Sequence, residues 1–484
     1  MRTISRDVLF QIRAERILSR VCDAGLAPRR IGPGARRRRS RRGLLAIAVL
    51  CCAIVASPAR TWAQEDARGA SLGKIASLQN KVETKPVPEN WAPAALNQTL
   101  YARYHVRTGT ASRAGILYSD QTLHRLNEKS EIEIQAPTAE KPGLISLLLG
   151  SHYFSSRTPK QFSRIETPAV TAAIRGTEFV VDVASDTTTR ITMLEGVLEA
   201  SNPQGSLTVR TGEQAYVEPG KAPIKRIIVH PRDAVAWALY YPPVLGGSDA
   251  TRLEALGSGG RDLARAAELL SAGQVDQAKP LIEAAREARP KDPVALALVS
   301  VIEVTGGEKD KALQHAEEAL SADPHSAAAA LALSFAAQAS FDIARARAMA
   351  EKAAEEDPES SLALARAAEL RMAEGDLKGA EAAARKAVER APDESRALTV
   401  LGFAQLTQFR SREAETLFER SVSADTASPL ARLGLGLARI RRGRVDDGRE
   451  ELQTAVALDP DDSLLRSYLA KAYYEERRTG EADK

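Results

Sequence analysis

Arg175 and Glu178 flank Gly176 and Thr177 in AAIRGTEFVVDV (residues 172–183), a charged pair three positions apart inside a strand-like apolar run. An Arg and a Glu so placed suit electrostatic stabilisation or proton transfer when a nucleophile or second acid stands nearby. The surrounding residues signal neither. Six histidines (His105, His124, His152, His230, His315, His325) carry the chemistry of metal ligation and proton transfer. No His-x-His or His-Glu-x-x-His spacing joins them, and the three cysteines (Cys22, Cys51, Cys52) all fall within the first 63 residues. A metal site is therefore not expected. Gly-x-Ser-x-Gly, Gly-x4-Gly-Lys and Gly-x-Gly-x-x-Gly spacings are also missing from the sequence. The expectation is a protein without catalytic residues, metal or cofactor.

The competing reading of 175–179 is architectural. A glycine fits a bulge or tight kink between two strand runs, where a side chain would clash. Thr177 and Glu178 can then cap exposed backbone amides, while Phe179, Val181 and Val183 fall on one strand face. With no catalytic partner signalled, Arg175, Gly176, Thr177, Glu178 and Phe179 read as a structural turn.

These residues sit in a chain of 484, long enough for two or three domains. The net charge of +4 is unevenly spread. Residues 1–63 hold fourteen Arg against Asp7, Glu15 and Asp23, a surplus of 11, so the other 421 residues carry −7. The basic balance belongs to that leader, and no nucleic-acid partner is read from it. An Arg run (36–42) precedes fourteen apolar residues (43–56) and a small residue, Ala63. The apolar run is short of the ~20 residues a membrane span needs. Residues 1–63 are thus expected to be a signal peptide with a long Arg-rich n-region, touching the membrane only transiently. Export is by Sec or, on the loose match SRRGLL, by the twin-arginine route. The mature chain would begin near Gln64, carry no cysteine and lie in the periplasm or cell envelope.

Residues 72–228 combine β-branched and aromatic residues with Gly, Pro, Asn and Asp punctuation, which predicts short strands and turns. A connecting helix is expected in 230–245, opened by Pro231 and stopped by Pro242 and Pro243, within a connecting stretch 229–258. Beyond it a fixed period appears. Pro290, Pro324, Pro358 and Pro392 are 34 residues apart, Pro460 lies 68 further on, and Thr426 takes the vacant step. Repeats then start at 259, 293, 327, 361, 395 and 429, with a partial seventh at 463. The position twelve before each proline (or Thr426) is small throughout: Ala278, Ala312, Ala346, Ala380, Ala414 and Gly448. A glycine marks the turn within four repeats (Gly273, Gly307, Gly375, Gly443), and Phe341 and Phe409 replace it in two. Small residues are what two closely crossing helices require.

The ninth repeat positions are Val301, Phe335, Glu369, Phe403 and Leu437. Val301, Phe335, Phe403 and Leu437 either line an apolar partner groove or pack as core between neighbouring helices, the commoner use of such a stripe.

Two resemblances follow from these residues. Residues 259–484 resemble a tetratricopeptide repeat array, which implies an all-α right-handed superhelix that binds peptides or proteins in its concave groove. Gly109, Ser112, Ala114, Asp120, Thr122, Leu126, Gly150, Thr167, Pro168, Gly176, Thr177, Glu178 and Phe179 resemble the pattern of the FecR-type periplasmic domain over about 72–220. Gln121 stands where that pattern has a turn glycine, and a turn without positive φ is expected there. The implied fold class is multi-domain β + α: an all-β domain, β-solenoid or sandwich-like, followed by the helical array. The implied function is a non-enzymatic, exported scaffold or envelope sensor binding protein or peptide partners. The rival is a FecR-like transmembrane regulator of a sigma factor. It requires a folded domain ahead of the membrane segment, and only 42 Arg-rich residues precede Gly43.

Overall fold

The computed structural model describes residues 70–135, 144–156, 164–174, 178–228, 231–246, 249, 252–253, 257–459 and 462–482. The expected signal segment and the turn residues Arg175, Gly176 and Thr177 lie outside the described residues.

Among the described residues, seventeen strands form one connected hydrogen-bonded system. They divide into two sheets that share a single long strand, β9 (Leu144–Ser155). One sheet orders β4 (Thr99–Leu100), β1 (Gly73–Gln79), β6 (Arg113–Tyr118), β7 (Leu123–Leu126), β9, β12 (Glu178–Val183), β13 (Thr189–Glu195), β16 (Glu213–Val217) and β17 (Ile224–Ile227). The other orders β3 (Ala92–Pro93), β2 (Val82–Pro86), β5 (Tyr104–Thr108), β8 (Glu131–Ile134), β9, β10 (Arg164–Glu166), β11 (Thr171–Ile174), β14 (Val197–Asn202) and β15 (Gly205–Arg210). Only β9–β10 is parallel among these pairs. The first half of β9 pairs with β8 and β10, the second with β7 and β12.

Gly150 stands at the switch with φ 95°, and a Cβ there would fall 2.5 Å from the Ser130 Cα. No other residue fits a conformation that is both left-handed and pressed on a neighbouring backbone. Between the sheets, alternating residues such as Ile132, Ile134, Ile145, Leu147, Val181, Val183, Ile191 and Met193 make one apolar core.

Gln121 has φ 67°, so the β6–β7 turn does require a left-handed residue and the expectation drawn from its lack of glycine was wrong. Asp120 holds the turn in place by accepting the Thr122 N–H at 2.9 Å. This is a local substitute that a single turn glycine would make unnecessary.

The connecting segment is a 3-10 helix over Pro231–Ala238, which ends before the two prolines. Residues 240–246 then carry no regular secondary structure.

Thirteen helices follow among the described residues, paired as hairpins: α1 (Ser258–Ser271) with α2 (Val275–Ala288), α3 (Pro293–Gly306) with α4 (Lys309–Ala322), α5 (Ala327–Ala339) with α6 (Ile343–Glu356), α7 (Ser361–Glu374) with α8 (Leu377–Arg390), α9 (Ser395–Thr407) with α10 (Ser411–Ala424), α11 (Pro429–Arg441) with α12 (Val445–Leu458), and α13 (Ser463–Ala482). Side-chain caps set the starts: Asp292, Ser326, Ser360, Glu394 and Ser428 each accept backbone N–H groups of the helix they precede. The turn glycines Gly273, Gly307, Gly375 and Gly443 all have positive φ, and so do Phe341 and Phe409 in their places.

The crossing positions are sealed. Ala278, Ala312, Ala346, Ala380 and Ala414 are fully buried. At Gly448 a Cβ would lie 2.6 Å from the Gly436 carbonyl oxygen, so this hairpin crosses more closely than alanine allows.

In α13 the buried face is Leu464, Leu465, Tyr468 and Ala472, while Ala470 and Tyr473 are exposed. Helix α13 runs on through Gly480 to Ala482. No helix among the described residues is long and apolar enough to cross a membrane.

Candidate protein-interaction groove

The first helices of successive hairpins pack on one another along the array: α1 on α3, α3 on α5, α5 on α7, α7 on α9 and α9 on α11. They form a continuous inner layer, with the second helices outside it. Val301, Phe335, Phe403 and Leu437 all lie in this layer and all are buried. Phe335 is covered by two guanidinium groups, Arg366 at 4.1 Å and Arg396 at 5.3 Å from its ring centroid. Phe403 packs edge-on against Phe418. Leu437 belongs to the same apolar cluster as Phe403. Val301 lines a cavity of about 110 Å³, roofed by residues 241–246 of the same chain.

That roof crosses the inner layer. Tyr241 and Val244 are buried in the cluster built by α1 and α3. The Tyr240 carbonyl accepts a hydrogen bond from Thr305 Oγ1 at 3.3 Å. Farther along, Leu245 and Gly246 border a cavity of about 420 Å³ with Ser360, Leu362, Arg390 and Glu394, at the starts of α7 and α9.

The β-domain also contacts the array directly. Arg125 of β7 donates to the Ala238 carbonyl at 2.6 Å and, with its other terminal nitrogen, to the Leu458 carbonyl at the end of α12. Its desolvation holds the guanidinium below its ordinary pKa. Arg432, 1% exposed, reaches from α11 to Glu451 at 2.6 Å and to the Ala76 carbonyl of β1 at 3.0 Å. Thr426 Oγ1 accepts the Leu78 N–H at 2.7 Å and donates to the Leu78 carbonyl at 2.8 Å. At the other end of the array, Gln274 donates to Glu128 at 3.0 Å. The β-domain thus touches both the first and the last complete hairpin.

Glu178 and Phe179 have structural partners. Glu178 accepts the Tyr153 hydroxyl at 2.9 Å, and a register shift in the β12–β13 pairing falls between Glu178 and Phe179. The Phe179 ring stacks on Phe154 at 4.9 Å, and Phe154 stacks on His124 at 4.0 Å. The strands on either side of 175–177 belong to different sheets, β11 to one and β12 to the other.

Sequence spacing missed one pair. His124 and His152, 28 residues apart, meet on neighbouring strands with Nε2 and Nδ1 3.1 Å apart, both fully buried. No group of three or more metal-ligating side chains gathers among the described residues. Sequence reasoning also missed Arg125, Arg432 and residues 240–246, because contacts between distant segments leave no periodic mark. Two signals were present, however. Arg432 is a lone charge amid apolar residues in PLARLGLGL, and Thr426 breaks the proline period at a step that contacts β1.

The FecR protein family model matches residues 104–199. Tetratricopeptide repeat models match 263–327, 337–402 and 405–472. No curated protein matches. Among solved structures, the chain is similar to the APC/C hetero-tetramer Cut9–Hcn1, at 13% identity over 50% of this chain and 47% of that one, with a TM-score of 0.38. It is also similar to YrrB, a TPR protein with an unusual peptide-binding site, at 19% identity over 39% and 96% of the two chains, with a TM-score of 0.29. A third is a candidate anti-sigma factor from Parabacteroides distasonis, at 16% identity over 31% and 72%, with a TM-score of 0.25. The chain carries a FecR domain followed by an array of tetratricopeptide repeats.

Proposed function

We propose that this chain is an exported, non-enzymatic scaffold of the bacterial cell envelope that binds protein or peptide partners through its helical array. The observation that carries the reading is the continuous inner layer of first helices, joined at both ends to a FecR domain. A repeat array exposes an extended surface at small cost in core residues, which suits recognition of extended chains. The buried side chains of the FecR pattern are occupied in packing and in turns, consistent with a supporting domain.

Cross-linking in intact cells, followed by capture of the tagged chain from the periplasmic fraction, tests the reading. Reproducible protein partners that are lost when 259–484 is deleted are expected. The mass of the purified chain should begin near Gln64. Recovery in the inner membrane with residue 1 intact would instead favour the sigma-factor regulator.

A further inference from the structure

We infer that residues 240–246 (YYPPVLG) are a built-in ligand of the array, occupying in cis the groove where a proline-bearing apolar segment of a partner would lie. The inference deepens the scaffold reading and rests on it.

The segment has the form of a bound peptide. It is neither helix nor strand, and two consecutive prolines fix φ at both positions and leave it little conformational entropy to lose. It presents an aromatic and an aliphatic anchor, Tyr241 (5% exposed) and Val244 (2% exposed), to the inner faces of α1 and α3. The array recognises its backbone as well, through Thr305 on the Tyr240 carbonyl. A cover for the array's open end would need only to lie over α1. This segment instead spans α1 and α3 and reaches the starts of α7 and α9. The cavities of about 110 and 420 Å³ beneath and beside it show that the groove is wider than its occupant fills.

The occupant is also tethered. Arg125 grips the Ala238 carbonyl two residues upstream, and α1 begins at Ser258 downstream. A tether of that length raises the local concentration of the segment to about the millimolar range. A free peptide of the same chemistry must compete with it, and binds only when the segment is released or its tether lengthened.

The test uses the chain from residue 64 and a fluorescein-labelled peptide of sequence ALYYPPVLG (residues 238–246), read by anisotropy. Two variants weaken the cis contact. One is Tyr241→Ser with Val244→Ser. The other inserts about 20 Gly/Ser residues on each side of the segment, between Leu239 and Tyr240 and after Gly246, so that neither the Arg125 anchor nor α1 holds it close, and replaces no side chain. At least tenfold tighter binding to either variant than to the parent is expected. Ala267→Glu, a partly exposed cavity-lining position, should abolish that binding in the same variant. Equal affinity for the parent and the lengthened-tether chain, no binding to either, or binding indifferent to Ala267→Glu would overturn the cis-ligand inference. A lengthened-tether chain that still captures its envelope partners yet ignores the peptide would overturn it while leaving the scaffold reading intact.

Discussion

His124 and His152 form a chain of hydrogen bonds whose direction is set at one end. The Leu149 carbonyl can only accept, so His152 Nε2 carries the proton donated to it at 2.8 Å. His152 Nδ1 must then accept from His124 Nε2–H, and His124 Nδ1 from the Tyr118 hydroxyl at 3.2 Å. A proton added to His152 Nδ1 would set two donors against each other at the His124–His152 link. Burial opposes the charge further, holding His124 well below its ordinary pKa and His152 at about 4. Because the folded state binds the proton less readily than the unfolded chain, this stability is complete above about pH 6.5. It is lost as the pH falls toward 4. For His152 alone the loss amounts to about 3 kcal/mol. Melting of the parent should drop more steeply between pH 7 and 4.5 than that of a His124→Gln, His152→Gln double variant; parallel curves would refute the account. At the same scale, Gln121 holds φ 67°, a conformation that glycine adopts without a Cβ penalty. Gln121→Gly should raise stability by about 0.5–1 kcal/mol in urea titration, despite glycine's freer unfolded state.

The helical hairpins were the part of the fold most legible in sequence. Their positions repeat every 34 residues, and each hairpin depends mainly on its own small residues, caps and turn. The short strands were legible only as a class. Their pairing into two sheets through β9 depends on partners up to dozens of residues away, and nothing local announces which sheet a strand joins. The last complete hairpin shows how sharply one small position is specified. Gly448→Ala adds a single methyl group only 2.6 Å from the Gly436 carbonyl oxygen, so α11 and α12 must part. A loss of about 1–3 kcal/mol is expected, read as a lower melting temperature. The same change at Gly212, where nothing lies within 4 Å, meets only backbone strain from its φ of 80°.

On the scale of the whole molecule, the two domains are linked by a few polar contacts, most of them part-buried, and by Ala457 packed with Ala76, Leu117 and Leu123. Thr426 is the informative one, since every neighbouring repeat has proline at that step. Thr426→Pro restores the repeat pattern and removes both hydrogen bonds to Leu78. The array should stay folded by circular dichroism while limited proteolysis between 229 and 257 accelerates several-fold. Unchanged proteolysis would mean that Arg125 and Arg432 suffice to hold the domains together. Little of this docking is legible in the sequence beyond the missing proline and the isolated Arg432, because the residues that meet are separated by well over 100 positions.

A stack of helical hairpins is a spring: small rotations at each joint add up to a change in pitch and in the distance between its ends. Here Glu128 holds the turn of the first hairpin and Leu78 the entrance to the sixth, so the β-domain spans the coil as a brace. Tension applied across the helical region is therefore borne first by those polar contacts rather than by the hairpin joints. The coil becomes compliant only after the brace has let go at one end, which makes its extension a thresholded event instead of a gradual one.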